Sequence, residues 1–361
     1  MKKELLSLAE SKALRGIAIL GIILHNYCHF LGFAVKENEY TFTASKPMML
    51  LDRIMDLNQH LFVHILSFFG HYGVPVFLFI SGFGLVRKYE QSTNRTVGTL
   101  PFIGVHYLKL LRLMFLGYIA FAVVCYLHPH GYHGYTVGRV VAQMLMYINL
   151  LPDPDHIIKP GPYWFFGLML QLYIVYRLLL YRRSTKWVLA LIAVCWAVQA
   201  AFTPEVDAGG EMLNRIRYNF IGGMLPFGMG IVYARHGRGC SPLWHAAVVN
   251  VSAVAVFAGS FWFHSWLWVP LFIVTGAVST VKLLPGVILK PCMWVGGISS
   301  ALFVAHPVLR EIIIPMSYRG RIYTGIVLYV LASVACAWLF ARLLRYVPTP
   351  KLKMRDDGQA E

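Results

Sequence analysis

The first long apolar segment of the sequence contains two ionisable side chains, Arg15 and His25, in the run R-G-I-A-I-L-G-I-I-L-H. Each is costly to bury and therefore marks a candidate functional site. On one helix they would lie about 15 Å apart. A cation near one end and an imidazole deeper in the helix suggest an anionic cofactor whose reactive end reaches the histidine, which would act as a general base. A snorkelling arginine and a buried structural histidine are the alternatives.

Two basic residues, Lys109 and Arg112, open the third apolar segment. They are three residues apart and therefore share one helical face, where they are predicted to hold phosphate groups of the cofactor. The alternative is that they only mark the cytoplasmic edge of a membrane helix. Ser81, in the second segment, is more typical of a helix–helix hydrogen-bond donor than of a nucleophile, because no G-x-S-x-G motif surrounds it.

Three more residues, Trp164, Gln171 and His306, are predicted to line a substrate cavity. Trp164 begins an aromatic run typical of a membrane interface. Gln171 follows inside an apolar run, where its amide needs a hydrogen-bond partner. His306 precedes Pro307, which loosens the helical backbone at that depth.

Two groups of residues have spacings compatible with a metal ion, namely His25 with Cys28 and His29, and His128 with His130 and His133. No neighbouring carboxylate in the sequence supports either group, and the second lies in a Gly/Pro-containing loop. We therefore predict no metal.

Composition shows which elements must position these residues. Of 361 residues, 58% are hydrophobic and 13% are charged, against about 25% charged in a typical soluble domain. This excludes an ordinary globular protein and predicts an all-α polytopic membrane protein with about ten transmembrane helices. They are predicted at residues 13–35, 66–86, 104–127, 162–181, 187–202, 218–234, 242–260, 264–282, 291–314 and 321–345. The stretch 138–151 is short for a crossing and is predicted to be interfacial, with an additional span as the alternative.

The net charge of +16 indicates orientation rather than binding to nucleic acid. With ten spans and the N-terminus inside, most Lys and Arg residues fall in cytoplasmic loops, including the cluster at 182–186. Both termini are therefore predicted to be cytoplasmic. One transmembrane domain is expected at 1–346, followed by a short polar tail at 347–361.

Several motifs occur in an order that resembles a known family. They are R-G-I-A at 15–18 followed by His25, G-V-P-V-F-L-F-I-S-G-F at 73–83, the basic pair Lys109 and Arg112, W-F-F-G-L-M-L-Q-L-Y at 164–173, and G-I-S-S-A-L-F-V-A-H-P at 297–307. This arrangement resembles the acyltransferase 3 family of bacterial integral-membrane O-acyltransferases. The resemblance implies transfer of an acyl group, commonly acetyl from cytoplasmic acetyl-CoA, to a hydroxyl of a cell-envelope glycan or its lipid-linked precursor. It also implies a location in the bacterial cytoplasmic membrane.

By the resemblance, Arg15 and His25 correspond to the family's catalytic pair, and Lys109, Arg112 and Ser81 to donor-binding positions. The family usually places ten residues between the arginine and the histidine, whereas nine separate them here. One missing residue rotates the histidine by about 100° relative to the arginine. A transporter or flippase of a lipid-linked sugar is the alternative function, and a purely structural membrane scaffold is less favoured.

Overall fold

The computed structural model describes residues 5–37, 40–91, 95–127, 132–352 and 355–356. Apart from one antiparallel pair of two-residue strands, β1 and β2, the regular structure of this part of the chain is helical, which confirms the all-helical prediction. The elements are α1 (Leu8–Cys28), α2 (Ser45–Met55), α3 (Leu61–Phe69), α4 (Gly73–Tyr89), β1 (Arg95–Thr96), α5 (Thr99–Leu127), α6 (Val137–Met144), α7 (Pro154–Ile157), α8 (Trp164–Val175), α9 (Thr185–Ala200), α10 (Glu211–Arg217), α11 (Phe220–His236), α12 (Pro242–Gly259), α13 (Phe263–Trp266), α14 (Val269–Leu283), α15 (Gly286–Gly297), α16 (Ser299–Tyr318), α17 (Ile322–Leu343) and β2 (Arg355–Asp356). Short 3-10 turns join α3 to α4 and precede α8, and a π-helical turn extends α8 to Leu180.

Seven helical segments of the described residues are long and apolar enough to cross a membrane, as expected of a multi-pass membrane protein. They are Leu61–Tyr89, Thr99–Leu127, Gly161–Leu180, Pro242–Gly259, Phe263–Leu283, Ser299–Tyr318 and Ile322–Leu343. The other three predicted spans, 13–35, 187–202 and 218–234, overlap α1, α9 and α11, which have 21, 16 and 17 residues. Helix α1 ends at Cys28, before the predicted end at residue 35. The ten-span count therefore stays a prediction.

Two predicted segments have informative boundaries. The predicted span 291–314 was expected to be continuous, but the structure breaks it at Ile298, between α15 and α16. Gly296 and Gly297 come directly before this break, and glycine is a poor helix former. Helix α6 has eight residues, so at about 1.5 Å per residue it is too short to cross a hydrocarbon core of about 30 Å.

The helices form two compact units. The first contains Met1–Phe77, Phe202–Gly210 and Arg238–Arg342, and the second contains Leu78–Ala201, Glu211–Gly237 and Leu343–Glu361. The second unit holds a largely buried ion pair in which the Arg235 guanidinium donates two hydrogen bonds, of 3.0 and 2.9 Å, to the Glu90 carboxylate. The Tyr176 hydroxyl donates to the same carboxylate, so the charge of Glu90 is shared among several donors.

Helix α1 is the centre of packing in the first unit. It begins with a capping box, in which the Ser7 hydroxyl accepts from the Glu10 N–H and the Glu10 carboxylate accepts from the Ser7 N–H. Glycines then bring it against α15, because a Cβ on Gly16 or Gly296 would overlap a backbone carbonyl of the facing helix. In a membrane such small residues allow the close packing on which helix association depends.

The charge distribution predicts that residues 182–186 face the cytoplasm and that the loop 128–160 faces outward. We expect Val137→Cys, at a position that is 82% exposed, to react with a membrane-impermeant maleimide in intact cells. Ser184→Cys, at an exposed position, should react only after permeabilisation. The partly exposed Cys240, Cys292 and Cys336 are first replaced by alanine. Labelling of Val137→Cys only in permeabilised cells would contradict the ten-span topology.

Candidate active site

His25 lies in the last turn of α1 and is 5% exposed. Its Nδ1 is 2.8 Å from the backbone carbonyl of Ser67, near the end of α3. Because a carbonyl oxygen only accepts hydrogen bonds, Nδ1 must carry the proton, and the lone pair of the neutral ring is on Nε2. This is the tautomer in which Nε2 is able to accept a proton from a substrate.

Glycine at position 70 makes this contact possible. A Cβ placed on Gly70 would lie 2.7 Å from the Cβ of His25 and would also press on the backbone of Gly21. A Cβ placed on Gly73 would likewise overlap the backbone carbonyl of Ala18, one helical turn before Gly21 on α1. Gly70 and Gly73 therefore allow the chain at 67–73 to approach the histidine.

A buried carboxylate that the sequence analysis did not identify lies beside His25. Glu37, in the loop that follows α1, is 3% exposed, and its Oε2 is 3.8 Å from Nδ1 of His25 and 3.0 Å from Nδ1 of His29. Burial, the largest single influence, raises the pKa of Glu37, but the attraction of His25 in its protonated form and the hydrogen bond with His29 outweigh it and hold the pKa below its ordinary value. The group is therefore a carboxylate at neutral pH.

His71 completes a group that we call the histidine cluster: His25, His29, Glu37 and His71. The His71 ring is 5% exposed and its centroid is 5.5 Å from that of His25, while the His29 ring is 5.0 Å away. His71 belongs to the run F-G-H-Y-G, which the sequence analysis did not identify as part of a site. The cluster thus joins α1, its following loop and the turn before α4.

The loop that carries Glu37 is fixed at two points. The backbone N–H of Val35 donates to Nδ1 of His64, a buried residue of α3, at 3.1 Å. The Lys46 ammonium donates to the backbone carbonyl of Glu37 at 2.7 Å. Both contacts are made to the backbone of the loop, so they position Glu37 without a hydrogen bond to its carboxylate oxygens.

Part of the histidine cluster has the composition of a metal site. The ligand atoms of His25, Glu37 and His71 all lie within 4.8 Å of one another, and two imidazoles with a carboxylate are ligands that zinc accepts. The sequence-based argument that no carboxylate supports a metal at this position was therefore wrong. The prediction that the protein uses no metal stays a prediction.

The other metal candidates differ. Among the described residues, Cys28 belongs to neither group of at least three side chains with ligand atoms close enough for a metal. The second such group, Asp153, Asp155 and His156, includes an exposed aspartate and an exposed histidine. In the candidate at His128, His130 and His133, the first two residues lie outside the described part of the chain.

Arg15 lies on a different face of α1 from His25. The helix is continuous over both residues, Arg15 is exposed, and His25 is buried. Ten residues of an ideal helix correspond to a rotation of about 1000°, which leaves the two side chains about 80° apart. With nine intervening residues, Arg15 and His25 therefore point in different directions from the helix axis.

His306 is fully buried in α16, one residue before Pro307. Its Nδ1 lies 3.3 Å from the carbonyl of Leu302, so this ring also carries its proton on Nδ1. His306 and His25 are thus both candidates for a base with the lone pair on Nε2.

The basic pair of α5 lies in the second unit. The Arg112 guanidinium donates hydrogen bonds to the backbone carbonyls of Leu344 and Val347, the latter at 2.8 Å. Lys109, one turn earlier, is partly exposed. Arg112 thus has a structural role on this segment of the chain, whereas donor binding by the pair stays a prediction.

Gln171 and Trp164 pack around the start of α11. The Gln171 amide donates to the Asn219 side chain at 2.7 Å, and its oxygen accepts from the Phe220 N–H at 2.9 Å. The Trp164 ring lies edge-on to Tyr218, with the ring centroids 4.8 Å apart. Gln171 therefore has the partner that its burial required, and it caps a helix N-terminus.

Ser81 is half-buried in α4, beside Gly82. A Cβ on Gly82 would overlap the backbone carbonyl of Phe227 in α11. Ser81 therefore borders a close helix contact, in agreement with the packing interpretation. Its role in donor binding, like the cavity-lining role of Trp164, Gln171 and His306, stays a prediction.

Comparisons with known proteins agree with the resemblance seen in the sequence. Searches of curated proteins and of solved structures gave no match. A protein-family model described as an acyltransferase domain matches residues 8–342, nearly the whole chain, and includes every residue of the histidine cluster. The chain therefore belongs to this acyltransferase family, and its long apolar helices are those of a multi-pass membrane protein.

Proposed function

We propose that the protein moves an acyl group, in particular acetyl, from cytoplasmic acyl-CoA to a hydroxyl of a cell-surface polysaccharide or of its lipid-linked precursor. The reaction would take place in the bacterial cytoplasmic membrane. Membership in the acyltransferase family supports the reaction class. The single observation that supports His25 as the base is the hydrogen bond from its Nδ1 to the Ser67 carbonyl, which leaves the lone pair on Nε2.

In this mechanism, Nε2 of His25 takes the proton of the acceptor hydroxyl while the hydroxyl oxygen attacks the thioester carbonyl. A new C–O bond forms and the C–S bond breaks. The proton held on Nε2 then passes to the departing CoA sulfur, so the histidine returns to its neutral form. Formation of an acyl-histidine before transfer to the hydroxyl is the alternative route.

Glu37 would stabilise the imidazolium that exists between these proton transfers. Its Oε2 lies 3.8 Å from Nδ1 of His25 in a buried environment, where water screens the interaction little. The Ser67 carbonyl would hold the ring in position throughout, because Nδ1 keeps its proton in both states of the histidine.

Donor binding is proposed for Lys109, Arg112, Ser81 and Arg15. Lys109, Arg112 and Ser81 match the donor-binding positions that the family resemblance implies. Arg15, the cation of the family's catalytic pair, is added because the phosphates of CoA require cations. Of the α5 pair, Lys109 is favoured, because the Arg112 guanidinium already donates to two backbone carbonyls. Trp164, Gln171 and His306 are proposed to border the acceptor.

The first test uses membranes that contain the protein and acetyl-CoA labelled on the acetyl group. We expect label to appear in envelope glycan as an alkali-labile ester. In His25→Gln the amide replaces the imidazole at similar size, and label incorporation per folded molecule should fall by about two to four orders of magnitude. A transporter of lipid-linked sugar would incorporate no label in either protein.

His306→Gln is the matched control, because His306 is equally buried and has the same tautomer. The amount of folded protein is measured by size-exclusion chromatography of the purified variants. Transfer that persists in His25→Gln and disappears in His306→Gln would make His306 the base.

The second test concerns the α5 pair. Lys109→Ala should raise the KM for acetyl-CoA by about tenfold to hundredfold through the loss of a charge-assisted contact. Arg112→Ala should in addition lower the yield of folded protein, because the carbonyls of Leu344 and Val347 lose their donor. An unchanged KM for acetyl-CoA in both variants would leave the two residues as topology anchors.

The third test separates a charge effect of Glu37 from metal binding. Glu37→Gln removes the carboxylate charge at constant size, and kcat should fall by about tenfold to hundredfold while the KM for acetyl-CoA stays constant. Wild-type protein treated with a chelator should keep its activity. If the chelator abolished transfer and zinc restored it, His25, Glu37 and His71 would be metal ligands instead.

A further inference from the structure

A second group of buried polar side chains surrounds Arg310, in the middle of α16. The Arg310 side chain is 3% exposed, which is rare for a charged group in an apolar helix. Its guanidinium lies 3.8 Å from the centre of the Phe30 ring, a favourable cation–π contact. A buried cation in an apolar helix requires an explanation, since ionisable side chains within membrane-spanning segments are rare and usually functional.

The contacts of Arg310 leave part of its guanidinium unused. Its carboxylate neighbour, Glu311, is the next residue in the chain and approaches Nη2 only to 3.5 Å. Nη1 is buried and has no hydrogen-bond partner among the described residues. A guanidinium presents its donors as a planar fork, so Nη1 is suited to a planar or tetrahedral oxyanion.

Other polar atoms face the same charge. His306 is one helical turn before Arg310, and its buried Nε2 also lacks a partner in the described part of the chain. His306 and Tyr329 both lie close enough to Arg310 for an electrostatic interaction with its guanidinium. The buried hydroxyl of Ser333 follows Tyr329 one turn later on α17. Buried polar atoms of this kind normally have partners, so their grouping indicates a polar ligand.

The position of this group relative to His25 indicates which substrate it serves. Tyr27, two residues after His25, packs its ring against Tyr329 with the centroids 4.6 Å apart. Phe30, under the Arg310 guanidinium, follows the end of α1. The group therefore lies at the end of α1 that carries His25, away from the Ser7 end from which the donor is proposed to enter.

We propose that Arg310, His306, Tyr329 and Ser333 form a site for an oxyanion, a carboxylate or a phosphate, carried by the acyl acceptor. This inference rests on the proposed transfer to a glycan and adds to it that the acceptor is acidic. The Nη1 group of Arg310 donates to the oxyanion, and the neighbouring hydroxyls donate to its remaining oxygens. Binding of the acceptor's oxyanion to Arg310 would then hold the hydroxyl to be acylated near His25.

The experiment uses the purified full-length protein in nanodiscs and three sugars that differ only at C6. They are methyl glucoside, methyl glucuronide and methyl glucoside 6-phosphate. Binding is measured by thermal stabilisation, which needs no turnover, and acyl transfer is measured with labelled acetyl-CoA. We expect one or both anionic sugars to stabilise the wild type more than the neutral sugar. The carboxylate and phosphate arms identify which oxyanion the site prefers.

Arg310→Met removes the charge at similar length. It should weaken binding of the preferred anionic sugar by about tenfold to hundredfold and should leave binding of the neutral sugar and the KM for acetyl-CoA unchanged. Arg319→Met, at an exposed position just beyond α16, is the matched control and should behave like the wild type. Arg310→Lys keeps the charge but not the fork, and should show an intermediate loss.

Equal binding of all three sugars by the wild type would overturn the proposal, and this result does not depend on the folding of any variant. An anion preference that persists in Arg310→Met would also overturn it. If the anion preference depends on Arg310 but no label reaches any acceptor, the oxyanion site stands and the proposed transfer reaction fails. If label reached neutral and anionic acceptors at equal rates, the proposed transfer reaction would stand and the oxyanion site would be overturned.

Discussion

The close approach of the chain at Gly70 to α1 is the constraint on which the candidate active site depends. It brings the Ser67 carbonyl within 2.8 Å of the His25 imidazole, and it leaves no room for a side chain at position 70. On another side of α1, Gly16 and Gly296 allow equally close contact with α15. Since lipid provides no hydrophobic force between helices, these contacts rely on packing and on a few hydrogen bonds. The orientation of the His25 ring thus depends on helix packing.

The first unit buries two polar groups of different character. In the histidine cluster a carboxylate faces imidazoles, so the imidazolium of the proposed reaction would have a counter-charge in place. Around Arg310 a fixed cation has, among the residues that the structure describes, one carboxylate neighbour, Glu311, at 3.5 Å. Both arrangements oppose folding through desolvation, which is usual for groups that are retained for binding or chemistry. Tyr27 and Phe30, which follow His25 in the chain, connect the two groups through ring contacts.

The sequence predicted the helical class and apolar segments, because these depend on composition. It also indicated His25 as a candidate, because a single ionisable side chain stands out within a long apolar run, and the catalytic role of His25 stays a prediction. It did not predict Glu37 or Arg310. Glu37 lies in a loop, and only the folded chain shows that the loop returns to His25. The sequence analysis treated α16 chiefly through His306 and Pro307, and the buried environment of Arg310 depends on tertiary packing. The break at Ile298 was also missed, since hydropathy does not distinguish one long helix from two.

The anchor between His64 and the loop after α1 has a chemical consequence. His64 accepts the Val35 N–H at Nδ1 and lies 3.3 Å from the Asn58 side-chain oxygen at Nε2, so the neutral ring uses one nitrogen as an acceptor and the other as a donor. A second proton on this imidazole would replace the acceptor with a donor and set two N–H groups against each other. Val35 is two residues before Glu37. A proton gained by His64 would therefore remove the hydrogen bond that holds Val35, and the contact of Lys46 with the Glu37 carbonyl would then be the remaining backbone anchor of the two described for this loop.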